Sequence, residues 1–192
     1  MRRITKAMRN IKMMCEEFTT SPDDVLHRSA LLMRVYRDVV WMTARRAEKM
    51  RDEALTYIHG RKLDTALTYL MEFAPDERKQ DFEVKVSSLF ETKWMVDLIN
   101  AAMKRVSEYP DSGKLYFDIL SKCYITDTRH TESELLEMFG LERSRFFERK
   151  REATMLLGIA LWGFAIPEIK NSFLATSDTL EVATNAMDTA SS

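Results

Sequence analysis

Apolar residues recur at helical spacing along most of the chain, and this pattern predicts an all-α protein. The first stripe has spacings of four, three, four and three and consists of Ile4, Met8, Ile11, Cys15 and Phe18. Basic residues cover the rest of segment 2–18, so we expect a basic amphipathic helix there. Such a stripe packs into a core or lies on a nucleic-acid backbone or a membrane surface.

Three further helices are predicted before residue 109. Ser21 and Pro22, followed by two aspartates, are typical of a helix start, and the helix could run to His59. A shorter helix follows over 62–74, and another over 75–108 begins with Pro75. Gly and Pro number only 5 and 4, so few breaks are available and the helices should be long.

The helix over 75–108 has two readings. Its four-three alternation passes through Lys93 and Asn100, and polar residues in a coiled-coil seam can set register or partner number. That reading predicts a helical hairpin or a homodimer seam formed by the N-terminal helices. The other reading is an ordinary amphipathic helix whose stripe shifts to Phe90, Trp94 and Leu98.

A break at 109–113, Tyr-Pro-Asp-Ser-Gly, predicts a boundary between two regions. Residues 1–109 would form an N-terminal helical region and 113–166 a three-helix unit whose first helix spans 114–125. The remainder, 167–192, is polar with 4 acidic residues and 1 basic residue, and we expect disorder there.

A helix-turn-helix pattern occupies 131–164. Thr131 and Glu134 have capping-box spacing, and Gly140 suits the end of this first helix. Ser144 is the predicted N-cap of a second helix. The inward positions of that helix are Phe146, Ala153, Leu157 and Leu161.

The second helix begins with a cluster of basic residues, at the end that enters the major groove in DNA-binding motifs of this kind. We expect Arg145, Glu148 and Arg149 to meet base edges, with Glu152 on the same exposed face. Phosphate contacts or local packing would fall to Arg143, Ser144, Lys150 and Arg151. The competing interpretation is a solvated basic face on a hairpin that only packs.

Three segments together resemble a known family: 113–124 (GKLYFDILSKCY), the hairpin, and 153–163, which ends Leu-Trp-Gly. They are similar to the C-terminal part of ArpU/RinA-type phage late-gene regulators, which is itself similar to region 4 of sigma-70 factors. The resemblance implies transcription regulation, double-stranded DNA as partner and RNA polymerase as a candidate partner. Sigma factors usually continue with basic residues after the alanine of the recognition helix, whereas this chain turns apolar.

Composition narrows the function classes. The chain has 192 residues and a net charge of −1, so any DNA contact must come from a local patch. Two distant cysteines favour reduced thiols, and no apolar run is long enough to span a membrane, so we expect a cytoplasmic protein. Three scattered histidines, and no glycine-rich loop or nucleophile motif, predict no enzymatic activity and no cofactor.

Two other function classes remain open from the sequence. An oligomeric packaging or scaffold protein, like a small terminase subunit, also joins a helix-turn-helix to a long assembly helix. A helical bundle that binds only proteins would show no salt-dependent DNA affinity.

Overall fold

The computed structural model describes residues 4–18, 21–47, 93–168 and 171. Within these ranges the chain contains six α-helices and no β-strand, which confirms the all-α expectation. The predicted helix over 62–74 and the first part of the helix over 75–108 lie outside the described residues, as does the tail apart from Pro167, Glu168 and Asn171.

The N-terminal helices begin where the sequence predicts. Helix α1 spans Lys6–Glu17 and buries Met8, Ile11 and Cys15, the centre of the predicted stripe. Helix α2 spans Pro22–Ala47 and begins at its proline, with two aspartates in the first turn. Whether it continues to His59 lies outside the described residues.

Helix α3, Lys93–Ser107, buries residues from both readings of its stripe. Leu98 of the shifted stripe is buried, and so are Met103 and Val106, which continue the four-three alternation, whereas Asn100 of that alternation is exposed. The buried face of α3 is therefore broader than either stripe, and Asn100 does not lie on it. A homodimer through the N-terminal helices stays a prediction.

A tight corner joins α3 to α4, which spans Gly113–Leu120 and continues as a π-helical turn over Ser121–Ile125. Asp111 takes the positive φ of the corner, at 65°. Gly113 serves a different purpose, because a Cβ there would lie 2.5 Å from the Ser107 carbonyl oxygen. The predicted break at 109–113 is therefore a closely packed corner.

The last two helices are α5, Glu132–Phe139, and α6, Arg143–Gly158, and α6 is followed by a π-helical segment over Ile159–Ala165. Helix α6 lies at the centre of the described part of the chain, packed against the five other helices described there. Every residue from 152 to 161 is buried. The run after Ala153 is apolar on all sides because other helices surround it.

One hydrophobic core includes residues from both sides of the predicted boundary at 109–113. Helix α2 also bonds to the end of the π-helical turn after α4, where Arg37 donates to the Cys123 carbonyl at 2.7 Å and the Thr128 carbonyl at 3.1 Å. The division into two domains stays a prediction, and the described parts of both regions share their interior.

Candidate nucleic-acid interface

The helix-turn-helix begins with the predicted capping box. The Glu134 amide donates to the Thr131 hydroxyl at 3.3 Å, and the Glu134 carboxylate accepts from the Thr131 amide at 2.7 Å. These bonds with Thr131 lower the pKa of Glu134 below its ordinary value. At the other end of α5, Gly140 takes φ of 58°, as expected of a glycine past a helix end.

The start of α6 differs from the prediction. Its N-cap residue is Glu142, which makes no side-chain cap bond, and Ser144 is the second residue of the helix. The prediction that Ser144 caps the helix is wrong. The Leu141 amide still bonds back to the Leu136 carbonyl at 3.3 Å, and the Glu142 carbonyl already accepts from Phe146 at 2.9 Å. The turn therefore ends at Glu142, and the helix has already begun before Ser144.

The inward face of α6 is confirmed. Phe146 is only 1% exposed, and its ring lies 5.8 Å from that of Phe139 on α5. Leu135 is the buried residue of α5, so this short helix is held to α6 by a small apolar contact. Ala153, Leu157 and Leu161 are fully buried.

The first turn of α6 is exposed and basic. Arg143, Ser144 and Arg145 are all exposed. Arg143 pairs with Glu132 at 2.5 Å on the surface, and its guanidinium carbon lies 5.7 Å from the centre of the Phe147 ring. Arg145 makes no side-chain hydrogen bond or ion pair with the described part of the chain. It is therefore the predicted base-contacting residue whose guanidinium is most available.

Arg149 is engaged inside the protein. Glu152, which we expected on the exposed face, is fully buried, so that expectation is wrong. Its carboxylate accepts from Arg149 at 2.6 Å, from the Tyr116 hydroxyl at 2.8 Å, and from the Thr5 hydroxyl. A buried carboxylate needs such partners, and here they join α1, α4 and α6.

Tyr116 shows the character of this interior. Burial, with the hydrogen bond to Glu152, raises the pKa of Tyr116 to about 12. The phenol therefore stays protonated and donates to the carboxylate. The spacing of three residues between Arg149 and Glu152 could have suggested this pair from the sequence, because such positions are neighbours on a helix.

The remaining basic residues of α6 point in two directions. Lys150 is half-buried, with its Nζ 4.9 Å from the centre of the Tyr124 ring, so it is turned toward the π-helical turn after α4. Arg151 is exposed and pairs with Asp23 at the start of α2, at 3.3 Å. Glu148 is half-buried. The seven predicted residues therefore do not form one continuous face.

Four of the predicted residues line a groove between α6 and α1, with a volume of about 850 Å³, which we name the α1–α6 groove. Its α6 side is Arg143, Ser144, Phe147, Glu148 and Arg151, and its α1 side is Ile4, Thr5, Met8 and Lys12. Sequence reasoning did not assign Phe147 or Lys12 to the site. Phe147 is 43% exposed, which is unusual for an aromatic residue on a central helix. The spacing of apolar residues along the sequence did not indicate this exposure.

This surface combines apolar side chains, Ile4, Met8 and Phe147, with polar groups suited to anion recognition. It offers guanidinium, ammonium and hydroxyl donors, and the described residues contain no cluster of His, Cys, Asp or Glu that could hold a metal ion. None of the described helices has the length and apolarity needed to cross a bilayer.

Comparison of the chain with protein-family models, with curated proteins and with solved structures finds no match.

Proposed function

We propose that this protein is a sequence-specific DNA-binding regulator of transcription that reads DNA through the α5–α6 helix-turn-helix. The observation that carries the proposal is the exposed first turn of α6, which presents Arg143, Ser144 and Arg145 at the end of the second helix of the pair. Helix-turn-helix proteins place this end in the major groove, where arginine can bond a guanine through two hydrogen bonds.

The structure changes the roles proposed within α6. Arg145 becomes the main candidate for base contact, with Glu148 beside it, since a carboxylate can accept from cytosine N4. Arg143 and Arg151 become phosphate contacts, because each is exposed and its ion pair is with a surface carboxylate. Arg149 and Lys150 instead contact other parts of the protein, Arg149 through Glu152 and Lys150 through the Tyr124 ring.

The resemblance to ArpU/RinA-type phage regulators supports a role in late-gene control of a phage or prophage in a bacterial cytoplasm. It also supports RNA polymerase as a partner. A homodimer through the N-terminal helices would present two reading helices to two half-sites, as dimeric regulators of this class do.

The test measures binding of the full chain to fragments of its own upstream DNA at two salt concentrations. We expect one fragment to be preferred, with affinity falling as salt rises. The variant Arg143→Glu/Arg145→Glu should lose roughly 100-fold or more in affinity for that fragment, as expected from losing two arginine contacts. Arg149 is left unchanged because its loss would strand the buried Glu152 carboxylate.

The matched control is Lys104→Glu/Lys114→Glu, which makes the same change in net charge at two exposed residues of α3 and α4. It should keep the fragment preference. Equal losses in both variants would show attraction by net charge alone and contradict a reading helix. A chain without salt-dependent binding would instead be a protein-binding bundle, and a ring of many subunits would indicate a packaging protein.

A further inference from the structure

We propose that α1 is the second wall of the DNA-binding surface and that Lys12 contacts the phosphate backbone beside the strand read by α6. This inference rests on the proposed function and adds a partner contact that the helix-turn-helix alone does not contain. It starts from the α1–α6 groove, where Lys12 shares one surface with Arg143 and Arg151.

The charge of the groove suits a polyanion. Its lining includes three basic side chains against a single acidic one, Glu148, with the Ser144 hydroxyl as a further donor. The facing groups outside the lining are Glu132 and Asp23, which pair with Arg143 and Arg151. Exposed ion pairs of this kind contribute little, so a phosphate oxygen can replace either carboxylate.

Helix α1 is held in place before any DNA arrives. The Thr5 hydroxyl accepts from the Met8 amide at 3.0 Å as the N-cap of α1 and donates to the buried Glu152 on α6. At the other end, the Phe18 ring packs edge-on against Phe164, with centroids 5.0 Å apart. Since neither end must be ordered on binding, Lys12 is preorganised beside α6.

A basic amphipathic helix can lie on a membrane or on a nucleic-acid backbone, and the packing of α1 favours the nucleic acid. The centre of the apolar stripe of α1, Met8, Ile11 and Cys15, is buried in the core, whereas its ends, Ile4 and Phe18, are 51% and 38% exposed. A helix lying on a membrane must insert its apolar face among the lipids, and the centre of this face is already covered. The basic side remains available, and it adjoins the proposed reading helix.

Helix geometry supplies a matched control on α1 itself. At 100° per residue, Lys6 lies about 120° around the helix from Lys12, away from the groove. Lys6 is exposed and does not line the groove. The two lysines thus carry equal charge on one helix and differ in which side they face.

The experiment measures how the observed binding constant of the full chain varies with salt, on the preferred fragment and on an unrelated one. The slope of log K against log salt is negative, and loss of one phosphate contact makes it shallower by about 0.9. We expect Lys12→Gln to show that change and to weaken binding to both fragments by the same factor, so that the preference survives. Lys12→Arg should keep the wild-type slope, and Lys6→Gln should too.

Two results would overturn the inference while the proposed function stands: an unchanged slope in Lys12→Gln, or an equal fall in Lys6→Gln, with the wild type still preferring its fragment. A wild-type chain without salt-dependent binding would overturn both proposals. Helicity measured by circular dichroism before each titration confirms that the variants are folded, and the retained slope of Lys12→Arg separates charge from packing.

Discussion

At the scale of single residues, the environment of a side chain decides its role more than its type does. Arg145 and Arg149 are one turn apart on α6, yet the first is exposed and the second bonds to a fully buried carboxylate. Glu148 and Glu152 show the same contrast, half-buried against 0% exposed. A pattern based on charge groups these residues together, whereas the fold assigns them to a surface and to an interior.

Replacing Glu152 by alanine should lower the free energy of unfolding by about 3–5 kcal/mol, because it leaves the Arg149 guanidinium near the interior without its partner. The Tyr116 and Thr5 hydroxyls lose their acceptor as well. Glu148→Ala, one turn earlier, should change stability by less than about 0.5 kcal/mol, because Glu148 is only half-buried and lies outside this hydrogen-bond network. Urea unfolding followed by circular dichroism measures both, and similar losses would contradict the assignment of the network.

At the scale of elements, close backbone approach determines how α2 lies on α6. A Cβ at Gly158 would overlap the Ser29 hydroxyl and a Val25 methyl group, and would lie 3.1 Å from the Val25 carbonyl oxygen. The Ser29 hydroxyl already bonds to that carbonyl at 2.6 Å. The absence of a side chain at this position therefore allows the two helices to meet.

Gly158→Ala should destabilise the protein by about 1–3 kcal/mol, the usual result of overpacking a core. The control is Gly163→Ala in the following π-helical segment, where the nearest neighbours of a Cβ would be atoms of the Phe18 ring, at 3.2 Å. A contact at this distance needs a shift of only a few tenths of an ångström by a side chain that is 38% exposed, so the control should lose less. Thermal unfolding of the two variants makes the comparison. An equal or larger loss in the control would show that α2 has room to adjust on α6.

At the scale of the whole molecule, the described helices share one core around α6. Cys15 on α1 and Cys123 after α4 are both free and buried, and they lie on opposite sides of the corner at 109–113. Burial is the main cause that raises the pKa of each thiol above its ordinary value. Both thiols should therefore react slowly in the native state and report on unfolding.

We expect the two thiols to become reactive together. In variants that retain one cysteine each, Cys123→Ala and Cys15→Ala, modification by a thiol reagent at increasing urea should follow the same transition as the loss of helicity. This expectation follows from the packing of α1 and α2 on α6. Reaction of Cys15 well before Cys123, together with a partial loss of helicity, would instead indicate that residues 1–109 unfold as a domain of their own.

How far the sequence could predict the site follows from the range of each interaction. The capping box, Gly140 and the inward positions of α6 depend on neighbours within a turn or two, and all were predicted correctly. The position of Arg149 depends on Glu152, Tyr116 and Thr5, and the last two are distant in the chain. The spacing of Arg149 and Glu152 could suggest their pair, but no pattern along α6 contains Tyr116 or Thr5, so the burial of that pair could not be predicted.

The sequence by itself determined the helical class, the start of α2, and the inward side of α6, because helical spacing and end signals are local properties. Only the tertiary structure decided that α6 would be central, that Glu152 would be buried, and that α1 would lie beside the basic turn of α6. These outcomes depend on contacts between distant segments, such as Thr5 with Glu152 and Val25 with Gly158. Burial is a property of the assembled helices. It places Arg149 and Glu152 of the charged segment of α6 in an internal network and leaves Arg143 and Arg145 on an exposed basic surface.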